Sequence, residues 1–134
     1  MGERVSALLK QSVEHLEDEV PASYRLILEK LGPMLVQVDV DGESFSLSGG
    51  QRLEISDGTV TGPGASISTS RAAILDVLDA RVGLEEAVQA GTVCVQGSLD
   101  EILQAHDTLR AYVHAAIRAS SQPGLLSALR AGTP

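Results

Sequence analysis

Apolar residues at Val5, Leu8, Leu9, Val13, Leu16 and Val20 recur at helical spacing and predict one amphipathic helix over residues 4–20. Pro21 suits the first turn of a second, shorter helix, with Tyr24, Ile27, Leu28 and Leu31 on one face and Gly32-Pro33 ending it. At Met34 the period changes to two. Met34, Val36, Val38 and Val40 alternate with Leu35, Gln37 and Asp39, which is a strand pattern. Asp41-Gly42 signals a two-residue hairpin, and Phe45 and Leu47 alternate with Ser44 and Ser46 beyond it. After Ser48-Gly49-Gly50, Leu53 and Ile55 alternate with Arg52, Glu54 and Ser56. A second Asp-Gly pair, Asp57-Gly58, precedes a short Thr59-Val60-Thr61, then a loop at Gly62-Pro63-Gly64 and a fourth strand, Ala65 to Thr69, centred on Ile67. The stretch predicts an antiparallel meander with one apolar and one polar face.

The helical period returns at Ser70, a cap for a two-turn helix carrying Ile74, Leu75, Val77 and Leu78. Leu84, Ala87 and Val88 continue into a short helix that stops at Gly91. Thr92 to Gln96 predicts a last strand with Val93 and Val95 on one side. Ser98-Leu99-Asp100-Glu101 matches a capping box opening a long helix, whose apolar stripe reads Leu99, Ile102, Leu103, His106, Leu109, Val113, Ala116 and Ile117. Ser120 to Gly124 reads as a linker before a small apolar segment at Leu125, Leu126 and Leu129. No internal repeat is visible.

This order of elements predicts a single α+β domain over residues 1–134, with N-terminal helices in 1–31 and a C-terminal linker and short helix in 119–134. The expected architecture is a two-layer sandwich: a mostly antiparallel five-stranded sheet with helices covering one face. The strand at 92–96 must enter the sheet by a crossover, because helices flank it.

Composition narrows the function. Eighteen acidic against ten basic residues leave a net charge of −8. That argues against nucleic acid, whose binding rests on clustered Lys and Arg, and against electrostatic docking on an anionic membrane. No apolar run approaches the ~20 residues of a bilayer span, and no signal-peptide core forms, so a cytoplasmic location is expected. Arg outnumbers Lys eight to two and Ala, Val and Gly are plentiful, a hint of a GC-rich, bacterial genome. Only Tyr24, Phe45 and Tyr112 are aromatic, so the core must be aliphatic and stacking platforms are disfavoured.

Catalytic chemistry finds little support. Cys94 lies between two inward valines and so points to the sheet's other face, with no base implied beside it. Asp107 and His114 could share a helix face, but two ligands make a poor metal site. No nucleophile elbow or phosphate-cradling loop occurs. The expectation is a protein that is not an enzyme and takes no metal or cofactor. His106, on the apolar stripe, either orients a ligand head inside a pocket or is a partly buried histidine bonded to a neighbour. The acidic run Glu14, Glu17, Asp18, Glu19 reads as a solvated helix face. The outer sheet face, with Ser44, Ser46, Ser56, Thr59, Ser66, Ser68 and Thr92, is polar but short of charge, and could pack on a protein partner or a second copy.

Residues 66–110 resemble the sterol carrier protein type 2 family. The matching run is Ser66-Ile67-Ser68-Thr69, then Arg71 to Ala80, then Glu86-Ala87-Val88-Gln89-Ala90-Gly91. It closes with Thr92-Val93-Cys94-Val95-Gln96-Gly97-Ser98 leading into the long helix. The meander fits the family's preceding strands, so the likeness spans about residues 34–117. It implies a non-enzymatic carrier for sterols, fatty acids or other acyl lipids, held in an apolar cavity between sheet and helices. Ile67, Leu75, Val93, Val95, Leu99, Leu103, His106 and Leu126 are the expected lining. The alternative is a protein-interaction module that keeps the fold with its cavity filled. It is motivated by the low-charge outer face and by Ala80-Arg81-Val82-Gly83, Val88 and Thr92 standing where the family carries a Gly-Lys turn, an aromatic and a basic residue.

Overall fold

Asp41 and Gly42 both adopt positive φ, 52° and 87°, in the turn that joins β1 (Leu35–Val40) to β2 (Glu43–Ser48). Two successive left-handed residues make a turn whose twist matches that of the strands it connects. The computed structural model containing this hairpin describes residues 4–49, 51–58 and 64–131. A third strand, β3 (Glu54–Asp57), pairs antiparallel with β2, with Leu47 opposite Ile55.

The expected meander stops there. Strand β4 (Gly64–Thr69) lies parallel to β1, from Leu35 opposite Gly64 to Val40 opposite Thr69. Strand β5 (Cys94–Gln96) then pairs antiparallel with β4, and the sheet order is β3-β2-β1-β4-β5. The sheet is therefore mixed. Alternation assigns faces to a strand but does not choose its neighbours, and a parallel neighbour needs a longer return than a hairpin supplies. Gly64 permits the close start of this pairing, because a Cβ there would run into the Leu35 carbonyl oxygen. The short strand expected at Thr59–Thr61, the loop residues Gly62 and Pro63, and Gly50 lie outside the described residues.

Register separates the two faces. Val36, Val38, Phe45, Leu47, Ile55, Ile67 and Val95 are directly paired across the sheet and share the inner face. Ser46, Ser56, Ser66, Ser68 and Cys94 share the outer one, where Ser56, Ser66, Ser68 and Cys94 are exposed and Ser46 is buried among its neighbours.

Helices α1 (Val5–Glu19) and α2 (Pro21–Leu31) precede the sheet, with Pro21 in the first turn of α2 and Gly32, at φ 56°, ending it. Between β4 and β5 run α3 (Arg71–Leu78) and α4 (Leu84–Ala90). Ser70 caps α3 by accepting the Ala73 N–H at 3.1 Å, and Gly91 closes α4 in the left-handed conformation. The long helix α5 (Leu99–Arg118) opens with the full capping box of Ser98 and Glu101. The last helix, α6 (Gln122–Ala131), begins three residues before the expected apolar segment, inside the expected linker, with Pro123 accommodated in its first turn.

The face that α5 turns inward differs from its bulkiest apolar stripe. Ala105, Thr108, Ala111, Ala115 and Ala116 are buried, whereas Leu99, Leu103 and Ile117 are 72%, 56% and 42% exposed. The inward face is rotated by roughly one residue step, about 100°, from the predicted stripe. Helix α2 packs along α5, and Ala105, Ala111 and Ala115 share one core cluster with Tyr24, Ile27 and Leu31 of α2; small side chains let two helix axes approach closely. The sheet takes the adjoining side.

Helix α6 closes a second apolar cluster with Leu129, wholly buried, against Leu8, Leu78 and Ala116. Polar ties fix it as well. Gln122 donates to the Leu78 carbonyl at 2.7 Å, Arg71 to that of Ala128 at 3.2 Å, and Arg130 pairs with Asp79 at 3.0 Å.

Candidate ligand cavity

The inner sheet face and the helices above it line an apolar, partly open cavity of about 130 Å³. Strand alternation supplies its floor, with Val38, Val40, Phe45, Leu47 and Ile67. Helix α1 contributes Leu9 and Val13, α2 Ile27, α3 Ile74 and Val77, and α5 Leu109 and Val113. Leu109 and Val113 are half-buried and lie beside the buried alanine face of α5.

Three polar side chains reach this lining, Thr69, Thr108 and Tyr112, and each hydroxyl is engaged elsewhere. Thr69 donates to the Thr92 carbonyl at 2.8 Å, and Thr108 donates to the Gln104 carbonyl one turn back, also at 2.8 Å. The Tyr112 hydroxyl shares a 2.7 Å hydrogen bond with Ser12 Oγ, and burial pushes its phenol up to about 12 against the smaller opposing pull of that bond. Among the described residues the cavity wall thus carries no acid, base or nucleophile available for proton transfer. What it offers a guest is aliphatic surface, worth roughly 25 cal/mol per Å² removed from water.

The expected lining residues separate into groups. Ile67 and Val93 line the cavity. Val95, paired with Ile67, is half-buried beside it. Leu75 and Leu126 pack into the second cluster with α6. Leu99 and Leu103 face solvent, a correction that follows from the rotation of α5. His106 also turns away from the cavity. It is half-buried on the outer side of α5, with Nε2 3.2 Å from Arg110 Nη2. The pairing with a neighbour is the reading the geometry favours over a head-group ligand inside the cavity. Cys94 is exposed on the outer face, paired across the ladder with Ser68.

The sequence reading missed the walls from the N-terminal half, namely Leu9, Val13 and Ile27 on the helices and Phe45 and Leu47 on β2. Their signal was present, since all lie on the stripes and alternations that predicted the elements. What was lacking was the knowledge that those faces meet the same space.

Two grooves adjoin the cavity. One, of about 380 Å³, lies between the α3–α4 turn and α5, and shares Val77, Leu84 and Val113 with it. The other, of about 210 Å³, lies between α1 and β3, and shares Val13, Leu53 and Ile55. The first is lined by apolar residues including Val82 and Ile117 together with the charged or titratable Glu85, Glu86, Arg110 and His114. The second is walled by Lys10, Glu14, Glu17, Arg52 and Glu54. Among the described residues no group of three or more His, Cys, Asp or Glu side chains is placed to hold a metal ion, and no helix is long and apolar enough to cross a membrane.

No protein-family model matches the sequence, and no curated protein matches it. Solved structures do. The UbiJ-SCP2 ubiquinone synthesis protein is similar with a TM-score of 0.63 at 15% identity, over 83% of this chain and 95% of that one. A sterol carrier protein 2 crystal structure is similar with a TM-score of 0.57 at 12% identity, over 85% and 96%. Sterol carrier protein 2 from Yarrowia lipolytica, in its apo form, follows with 0.54 at 9% identity, over 81% and 88%. At these identities the likeness is one of fold. The layered α+β architecture with its mixed five-stranded sheet is that of the sterol carrier protein 2 fold.

Proposed function

We propose that this chain is a non-enzymatic carrier of a hydrophobic molecule of the lipid or acyl-chain type, bound between sheet and helices and working in the cytoplasm. The observation that carries the reading is the apolar cavity between sheet and helices, whose polar side chains among the described residues are engaged with the protein itself. Such a wall binds by apolar burial and has no group with which to transform its guest. Solved proteins of the same fold are named as sterol carriers, and one as a protein of ubiquinone synthesis, which agrees with a hydrophobic guest.

A second reading, an interaction module with a filled interior, draws on the cavity's size. About 130 Å³ is close to the ~150 Å³ of an engineered cavity that holds benzene, and below the roughly 300 Å³ at which ligand pockets begin. The carrier reading therefore requires the guest to extend beyond the enclosed space.

Native mass spectrometry of the protein from its own host, followed by denaturing extraction, tests the choice. A stoichiometric lipid-sized adduct, regained on adding fatty acid to delipidated protein and lost in Val93→Trp, is the expected result. A clean apo mass unchanged by fatty acids or sterols overturns the carrier and leaves the interaction module.

A further inference from the structure

We infer that an acyl ligand enters through the groove between the α3–α4 turn and α5, and that Arg110 at its edge holds the ligand's carboxylate. This rests on the carrier reading and adds to it a route and a place for the head group.

Volume requires an extension. The cavity is too small for a long chain, but Val77, Leu84 and Val113 form both its wall and the wall of the 380 Å³ groove. A chain whose tail fills the cavity can continue past these three side chains over Ala80, Val82 and Ile117, with Glu85, Glu86, Arg110 and His114 also lining the groove. The opposite recess is smaller, and beyond the residues it shares with the cavity its lining is Tyr24 and the charged Lys10, Glu14, Glu17, Arg52 and Glu54, so an apolar chain laid there would strip water from more ionic groups.

Chemistry then places the head. The hydroxyls within the cavity are engaged, so a carboxylate drawn inside would be buried without partners. At the groove's edge Arg110 Nη2 lies 2.9 Å from Glu85 Oε1, and the two side chains are 47% and 71% exposed. An ion pair this exposed is weak, so exchanging Glu85 for a ligand carboxylate loses little. A guanidinium meets a carboxylate with two parallel N–H donors, which suits it to that exchange. Ala80, in the same groove wall, holds φ at 60°, a strained conformation for a residue with a Cβ.

Delipidated full-length protein is titrated with dodecanoic acid and with dodecan-1-ol, and uptake of a fluorescent fatty acid is followed by stopped flow. Arg110→Gln should weaken the acid by about fivefold or more and leave the alcohol within about twofold, while Glu85→Gln should tighten the acid. Ile117→Trp, which fills the groove without touching the cavity, should slow uptake by about fivefold or more, and Glu14→Trp at the other recess should not. Equal weakening of acid and alcohol by Arg110→Gln, or no effect on either, overturns the head-group assignment. Slowing by Glu14→Trp and not by Ile117→Trp overturns the route. Wild-type protein that binds neither compound overturns the carrier reading itself, and the route and head-group site with it.

Discussion

The carboxylate of Glu43, at the start of β2, accepts the backbone N–H of Ser6 at 2.9 Å across 37 residues of sequence. Its other oxygen accepts the N–H of Val5 at 3.0 Å. Arg4, the residue in the capping position of α1, makes no side-chain cap. The first turn of the helix is thus capped from the sheet, and a negative charge sits against the positive end of the helix dipole. Glu43 is the bond between the N-terminal helix and the hairpin.

Burial alone would raise the Glu43 carboxyl, but the bonds from Ser6 and Val5 and the nearby Arg4 outweigh it and hold the group below the ordinary glutamate value. A depressed folded-state value means the contribution is fully present above the unfolded value and is lost as pH falls through the folded one. As pH falls below the ordinary glutamate range, stability should fall more steeply in wild type than in Glu43→Gln. At neutral pH the substitution should cost about 1 kcal/mol. Urea unfolding across that pH range checks both.

Tyr112 joins α5 to α1 through Ser12 and forms part of the cavity wall. Tyr112→Phe removes the bond and leaves Ser12 without it, an expected loss of about 1 kcal/mol in urea. Because the phenol is raised to about 12, its folded form holds its proton where the unfolded chain releases it. The stabilisation is therefore full below about pH 10 and is lost as pH rises toward 12, and the variant should lack that part of the decline.

The orientation of α5 makes a prediction that runs against side-chain hydrophobicity. Leu103→Lys, at an exposed position, should change stability by no more than about 0.5 kcal/mol. Ala111→Leu adds apolar bulk where the residue is only 8% exposed, and should destabilise by about 1–3 kcal/mol through overpacking. Thermal or urea unfolding of the two variants side by side tests the register of the helix.

Ala80 is a non-glycine residue at positive φ, joined in this respect only by Asp41 among the described residues. Ala80→Gly should raise stability by about 0.5–1 kcal/mol, because glycine adopts this conformation without the Cβ clash. A fall in stability would show that the turn does not hold this conformation in solution.

Local chemistry fixed the elements of this protein. Periodicities of 3.6 and 2, the capping box at Ser98, Asp41-Gly42 and the stop at Gly91 act within a few residues and hold wherever the segment lies, so they are legible in the chain. The inward identity of Val36, Val38, Ile67 and Val93 was legible for the same reason. Three features were not. The parallel seat of β4 beside β1 depends on which strand edge is open when the chain returns. The inward face of α5 depends on α2, whose close approach rewards Ala111 and Ala115 over Leu99 and Leu103. The cavity is a space left between five helices and a sheet, and its volume is a difference between packed surfaces that no segment carries alone.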